Sequence, residues 1–111
     1  MLKLYACPSL KELPYSVCKL RQLQILDISL CGYLKQILDK LGQLPSLKEL
    51  DMRECSRVKQ LPKSASDLRS LVNVICDEKI RHQWLSIKAF TIPNLHAEVA
   101  EEHFHLDFLE D

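Results

Sequence analysis

The sequence is poor in glycine and in long apolar runs, and each shortage excludes a class of protein. Its 111 residues contain two glycines, Gly32 and Gly42, and their spacing fits neither the G-x-x-x-x-G-K-[ST] nor the G-x-G-x-x-G phosphate-binding loop. No apolar run approaches the about 18 residues that a membrane-spanning helix needs. The N-terminus lacks the basic segment and apolar stretch of a signal peptide. We therefore expect an intracellular, cytoplasmic chain of one domain.

Net charge is also absent, but the two parts of the chain differ. Lys and Arg together number 15, as do Asp and Glu. Residues 1–76 hold twelve basic and seven acidic residues, whereas residues 77–111 hold three basic and eight acidic ones. This change indicates two structural units, which meet at residue 77. It predicts neither a nucleic-acid partner nor direct insertion into a membrane.

The five cysteines form no C-x-x-C pair, which argues against a disulfide framework and against a four-ligand zinc site. His103 and His105, beside two glutamates, fit a solvated edge better than a metal site. No pattern places a nucleophile next to a base. We therefore expect no enzyme, no metal and no cofactor in this chain.

What the first 76 residues do have is a 24-residue repeat. Leu2, Leu26, Leu50 and Val74 follow this step, and the unit reads L-x-x-L-x-L-x-x-C-x-x-L-x-x-L-P. This spacing is typical of leucine-rich repeats. In L-x-L two side chains point inward and one points outward, which predicts short parallel strands about 4.8 Å apart. We predict an α/β leucine-rich-repeat solenoid of three repeats plus the strand of a fourth, with the strands on a concave face and irregular or short-helical convex segments.

One column of the repeat consists of Cys7, Cys31 and Cys55. Stacking places these cysteines about 5 Å apart, within the range that a disulfide allows. Two interpretations stay open: a redox clip, or a structural column of buried thiols that face backbone carbonyls of neighbouring turns. Cys18 shares a column with Gly42, so we expect it in a less buried position.

The period stops after residue 76, and a cap is predicted to follow. Ile80, Trp84 and Ile87 share one face of a predicted helix over 78–90, with Asp77 as its N-cap. Residues 95–99 alternate between apolar and polar types, which predicts one last strand.

The acidic segment 77–111 is therefore expected to form a helix-plus-strand cap on the exposed end of the repeats. Aromatic residues would cover that end, although the alternative is that they form a docking surface. The candidates are Trp84, Phe90, Phe104 and Phe108.

The outer side of the predicted strands is the candidate binding face. It mixes acids, one arginine and apolar residues, which suits recognition of a protein, because stacked strands hold side chains with little ordering cost. The alternative is that these are ordinary solvated strand positions. The candidate residues are Tyr5, Ile25, Asp27, Ser29, Leu30, Glu49, Asp51, Arg53, Glu54 and Asp77.

Several segments resemble the C-terminal end of plant nucleotide-binding leucine-rich-repeat (NLR) disease resistance proteins. They are LKLYACPSLKELP at 2–14, LDIS at 26–29, LDMRECS at 50–56, VICD at 74–77 and HLDFLED at 105–111. The resemblance covers essentially the whole chain. It is to the helper subgroup of the activated disease resistance class, which carries a powdery-mildew-resistance-type coiled coil.

The resemblance implies a part of an intracellular immune receptor that signals with a lipase-like heterodimer. Family members carry a coiled coil and a nucleotide-binding domain before the repeats. Because neither is present in these residues, no nucleotide cofactor is expected here. The partner would be the heterodimer or the missing parts of the receptor. The full receptor would also be found in the nucleus or at a membrane. The competing interpretation is a stand-alone leucine-rich-repeat adaptor or substrate-targeting subunit. The N-terminal end face of the array lacks a cap, which predicts weak stability or self-association through that end; its residues are Leu2, Leu4, Leu10 and Leu13.

Overall fold

Short parallel strands that recur along the chain form the framework of the α/β structure. The computed structural model describes residues 1–4, 11–13, 15–35 and 41–99. The strands are β1 (Leu2–Lys3), β2 (Ile25–Asp27), β3 (Glu49–Asp51), β4 (Asn73–Cys76) and β5 (His96–Val99). They lie side by side in chain order in one five-stranded sheet.

The register of the sheet follows the sequence period. Leu26 pairs with Leu2 on one side and with Leu50 on the other, in each case 24 residues away. Leu50 pairs with Val74, and Val74 pairs with Ala97 after a step of 23. The predicted last strand is therefore present, as β5. Since the steps match, equivalent residues of successive periods become neighbours in space.

In the described residues, the core lies between the sheet and three 3₁₀ helices. The inward residues of the central strands, Leu26, Leu50 and Val74, are at most 1% exposed. The 3₁₀ helices span Tyr15–Lys19, Leu41–Gln43 and Lys63–Asp67, where short-helical return segments were predicted. Leu41 and Ala65 are fully buried, so the return segments close the far side of the core.

Helix α1 (Glu78–Phe90) has the predicted bounds and the predicted apolar face. Trp84 is fully buried and Ile80 nearly so, while Ile87 packs against the same cluster. The role predicted for Asp77 is wrong in one respect. Its backbone is extended, as at an N-cap, but its side chain makes no capping bond to α1 and instead accepts a hydrogen bond from the backbone N–H of Glu54 (2.9 Å).

A glutamine fastens α1 to the period before it. The Gln83 side chain accepts a hydrogen bond from the Leu61 backbone N–H (2.8 Å) and donates one to the Lys59 carbonyl oxygen (2.9 Å). A 59–61 segment without regular structure thus has two backbone groups satisfied by one side chain. Within the described ranges, no helix combines the length and the apolar character that crossing a membrane requires.

Candidate functional site

The outward side chains of the five strands form a surface that we call the open face. Two rows of side chains cross the sheet, because register partners on neighbouring strands lie side by side. The first row contains Ile25, Glu49, Asn73 and His96, and the second contains Lys3, Asp27, Asp51, Ile75 and Glu98. The open face consists of Lys3, Ile25, Asp27, Glu49, Asp51, Asn73, Ile75, His96 and Glu98. All of these side chains are half-buried or exposed. Of the ten residues predicted for the binding face, the strands thus bring four together: Ile25, Asp27, Glu49 and Asp51.

The turns that follow the strands add a border, which we call the turn rim: Leu30, Arg53, Glu54 and Asp77. Leu30 and Glu54 are equivalent positions 24 residues apart, and both have a left-handed backbone, with φ values of 61° and 55°. Non-glycine residues seldom adopt this conformation. Hydrogen bonds hold it here, from the Leu30 N–H to the Arg53 carbonyl oxygen (2.9 Å) and from the Glu54 N–H to Asp77. The rim is therefore a fixed structure, and Leu30 keeps 43% of its surface exposed.

Two aspartates at the ends of β2 and β3 connect the open face to the turn rim. Asp27 Oδ1 accepts hydrogen bonds from the backbone N–H (3.0 Å) and the hydroxyl (2.6 Å) of Ser29. Asp51 Oδ1 accepts one from the Arg53 N–H (3.2 Å), and Asp51 Oδ2 forms an ion pair with the Arg53 guanidinium at 3.2 Å. Each carboxylate thus fixes the turn that follows its own strand.

Ser29 differs from its prediction as an accessible binding residue, because it is only 2% exposed. Its hydroxyl points back to Asp27 and supports the turn from beneath. Sequence position alone places it next to the exposed columns, but the left-handed turn at Leu30 redirects the chain there. Tyr5 lies outside the described residues.

The described cysteines of the column agree with the interpretation as buried thiols. Cys31 Sγ donates to the Leu4 carbonyl oxygen and Cys55 Sγ to the Ile28 carbonyl oxygen, each at 3.0 Å. Each bond reaches back 27 residues, into the preceding period. Burial raises the pKa of the Cys55 thiol to about 12, which keeps it protonated and unreactive at neutral pH. Cys7 lies outside the described residues.

Cys18 departs from the prediction of a less buried position, since its exposed fraction is only 7%. Cys76, the last residue of β4, is fully buried. Burial likewise raises the pKa of its thiol to about 12.

The aromatic residues proposed for the cap are in different environments. Trp84 has no exposed surface, so it belongs to the core and its side chain offers no docking surface. Phe90, by contrast, is 86% exposed, because it sits in the last turn of α1 away from the buried face, and it covers nothing in the described structure. Phe104, Phe108 and the histidines at 103 and 105 lie outside the described residues.

Sequence reasoning missed two contacts and one cleft. The Arg57 guanidinium lies 4.7 Å from the centre of the Tyr33 ring, as in a cation–π pair. Gln83 bonds to Lys59. Tyr33 and Arg57 are 24 residues apart within the repeats, so the period was a signal that could have found this pair, whereas Gln83 lies beyond the last repeat. The third feature is a cleft of about 560 Å³ between residues 52–59 and the start of α1, and it had no sequence signal.

In the part of the chain that the structure describes, no three His, Cys, Asp or Glu side chains come together as a metal site would need. No protein-family model matches the sequence, and a search of curated proteins finds no match either.

Proposed function

We propose that the chain is a leucine-rich-repeat solenoid that acts as a non-enzymatic protein-interaction module of a plant intracellular immune receptor. The proposal joins the segment resemblance to helper NLR proteins with the geometry of the sheet. The role of the module would be recognition and regulation in disease resistance signalling, and that role needs no cofactor in this chain.

The observation that carries the proposal is the match between the 24-residue period and the strand register. Leu26 and Leu50 pair at that step, and so do their neighbours along both strands. Repeats stacked in this way bury one side of every strand and leave the other side available for contact. The solenoid assignment and the cap assignment of residues 77–111 both rest on this match.

The fixed turns give the open face the property that recognition requires. Asp27 and Asp51 hold the turns after their own strands, and Asp77 holds the turn at Glu54. Side chains that are already ordered lose little entropy when a partner binds. The unbound surface would therefore already have the conformation in which it binds a partner.

The proposed partner is a lipase-like immune signalling heterodimer, and the other candidate is the nucleotide-binding part of the same receptor. Both follow from the resemblance, and both place the chain inside the cell. A stand-alone adaptor is the competing function, and it would bind neither partner.

Co-precipitation with a purified lipase-like heterodimer tests the proposal. The face variant Asp27→Arg/Asp51→Arg reverses two charges on the open face, and the expected result is loss of recovered heterodimer. The matched control Glu12→Arg/Asp67→Arg changes the net charge equally at two exposed residues off the open face, and it should recover as much as wild type. Thermal melts check that both variants fold. If all three proteins recover the heterodimer equally, the open face is not the binding site. If none does, while the nucleotide-binding part also fails to bind, the adaptor function is favoured.

A further inference from the structure

The charge on the open face is opposite to that of the repeats that build it. Residues 1–76 carry a net positive charge in sequence. On the open face and turn rim, however, six carboxylates accompany one lysine, one arginine and one histidine: Lys3, Arg53 and His96, whose ring lies 3.4 Å from Glu98. The carboxylates are those of Asp27, Glu49, Asp51, Glu54, Asp77 and Glu98. The remaining Lys and Arg residues described in 1–76 lie outside the strands, in turns and return segments.

Two of these carboxylates are direct neighbours. Asp27 and Asp51 are register partners on adjacent strands, which lie about 4.8 Å apart. Like charges in this position oppose each other and cost stability. Arg53 offsets the charge of Asp51 from one side. A cation from outside would relieve the repulsion further, so binding a cationic group gains more here than at an isolated carboxylate.

Apolar side chains stand among the acids. Ile25 and Ile75 are half-buried on the open face, and Leu30 is exposed at the turn rim. A partner that offered cations alone would leave these side chains uncovered. A polyanion such as a nucleic acid would be repelled by the six carboxylates. The surface therefore fits a chain with positive and aliphatic side chains together.

We propose that the open face and turn rim bind a protein segment in which arginine or lysine alternates with aliphatic residues. This proposal rests on the proposed function, because it names the chemistry of the partner surface that the module recognises. The guanidinium or ammonium groups would lie against Asp27, Asp51 and Glu49, and the aliphatic side chains would cover Ile25 and Ile75.

A defined peptide tests this chemistry without the natural partner. The probe is a labelled 16-residue peptide of four Arg-Leu-Lys-Gly units, and a peptide of Glu-Leu-Glu-Gly units is its control. The protein variant Asp27→Asn/Glu49→Gln removes two charges, while the new Asn keeps an oxygen acceptor for the Ser29 turn. The control variant Glu12→Gln/Asp67→Asn removes the same charge elsewhere. Fluorescence anisotropy measures the Kd at about 50 mM and about 200 mM salt.

The basic peptide should bind wild type more tightly than the acidic one, and more weakly as salt rises. The face variant should weaken binding about fivefold at low salt, and the control variant less than about twofold. Equal weakening by both variants, or equal binding of the two peptides, would overturn the proposal.

The two failures can be told apart. If the basic peptide does not use the open face while the heterodimer still requires it, the partner chemistry is wrong and the proposed function stands. If the peptide uses the open face but neither proposed partner binds there, the proposed function is wrong and the chemistry stands.

Discussion

Replacing Gly42 by Ala should destabilise the protein through a clash between two successive return segments. A Cβ at Gly42 would lie 2.1 Å from the Ser64 carbonyl oxygen and 2.9 Å from the Asp67 Cβ, whereas ordinary contacts begin near 3.4 Å. One backbone would have to move by more than about 1 Å, and such overpacking costs about 1–3 kcal/mol. The movement also weakens the hydrogen bond from the Gly42 N–H to the Ser64 hydroxyl (3.2 Å).

The lost hydrogen bond destabilises the variant by about 1 kcal/mol more. The lower conformational entropy of the unfolded alanine variant offsets roughly 0.5–1 kcal/mol of this loss. The free energy of unfolding should therefore fall by about 2 kcal/mol, which shifts a urea midpoint by about 1 M. Gly32→Ala is the matched control, because a Cβ there meets no atom within 4 Å, and its midpoint should stay equal or rise slightly. Equal midpoints for the two variants would refute the close approach of the return segments.

Three further predictions concern the thiols, α1 and its aromatic residues. Burial raises the pKa of the Cys55 and Cys76 thiols from 9.0 to about 12, so the thiols of the unfolded chain lose their protons at lower pH than those of the folded chain. The free energy of unfolding should therefore stay constant below about pH 9 and fall between about pH 9 and 12, as measured by urea unfolding across that range. Gln83→Leu should lower the free energy of unfolding by about 1–3 kcal/mol, since it leaves a backbone donor and a backbone acceptor without their partner; an unchanged urea midpoint would contradict the role of Gln83 as a fastener. Trp84→Ala should cost about 3–5 kcal/mol by opening a cavity, while Phe90→Ala should change the melting temperature little, because its side chain is exposed; equal losses in thermal melts would contradict that difference.

Periodicity predicted the parts of the fold that depend on burial. The inward columns, the parallel register and the bounds of α1 follow from where apolar residues recur, because only one register buries all of Leu26, Leu50 and Val74. The bonds of Cys31 and Cys55 to carbonyls of the preceding period follow from the same stacking.

The turns could not be predicted in this way, because their conformation depends on hydrogen bonds rather than on hydrophobic pattern. Ser29 is buried and Leu30 is exposed because the backbone turns into the left-handed region there. Asp77 binds the Glu54 N–H in place of the helix N-terminus because that turn presents its donor nearby. The acids of the open face, by contrast, were predicted from the strand columns, although the sequence average of residues 1–76 is basic.

Hydrogen exchange measured by mass spectrometry, with and without the purified lipase-like heterodimer, tests the central claim most directly. Binding of the partner should suppress local opening of the hydrogen-bonded strands and turns, so peptides that cover residues 25–30 and 49–54 should gain protection. The return segment Lys63–Asp67 lies away from the strands and should exchange as in the unbound protein. Protection confined to that return segment, or no protection at all, would contradict a binding site on the open face.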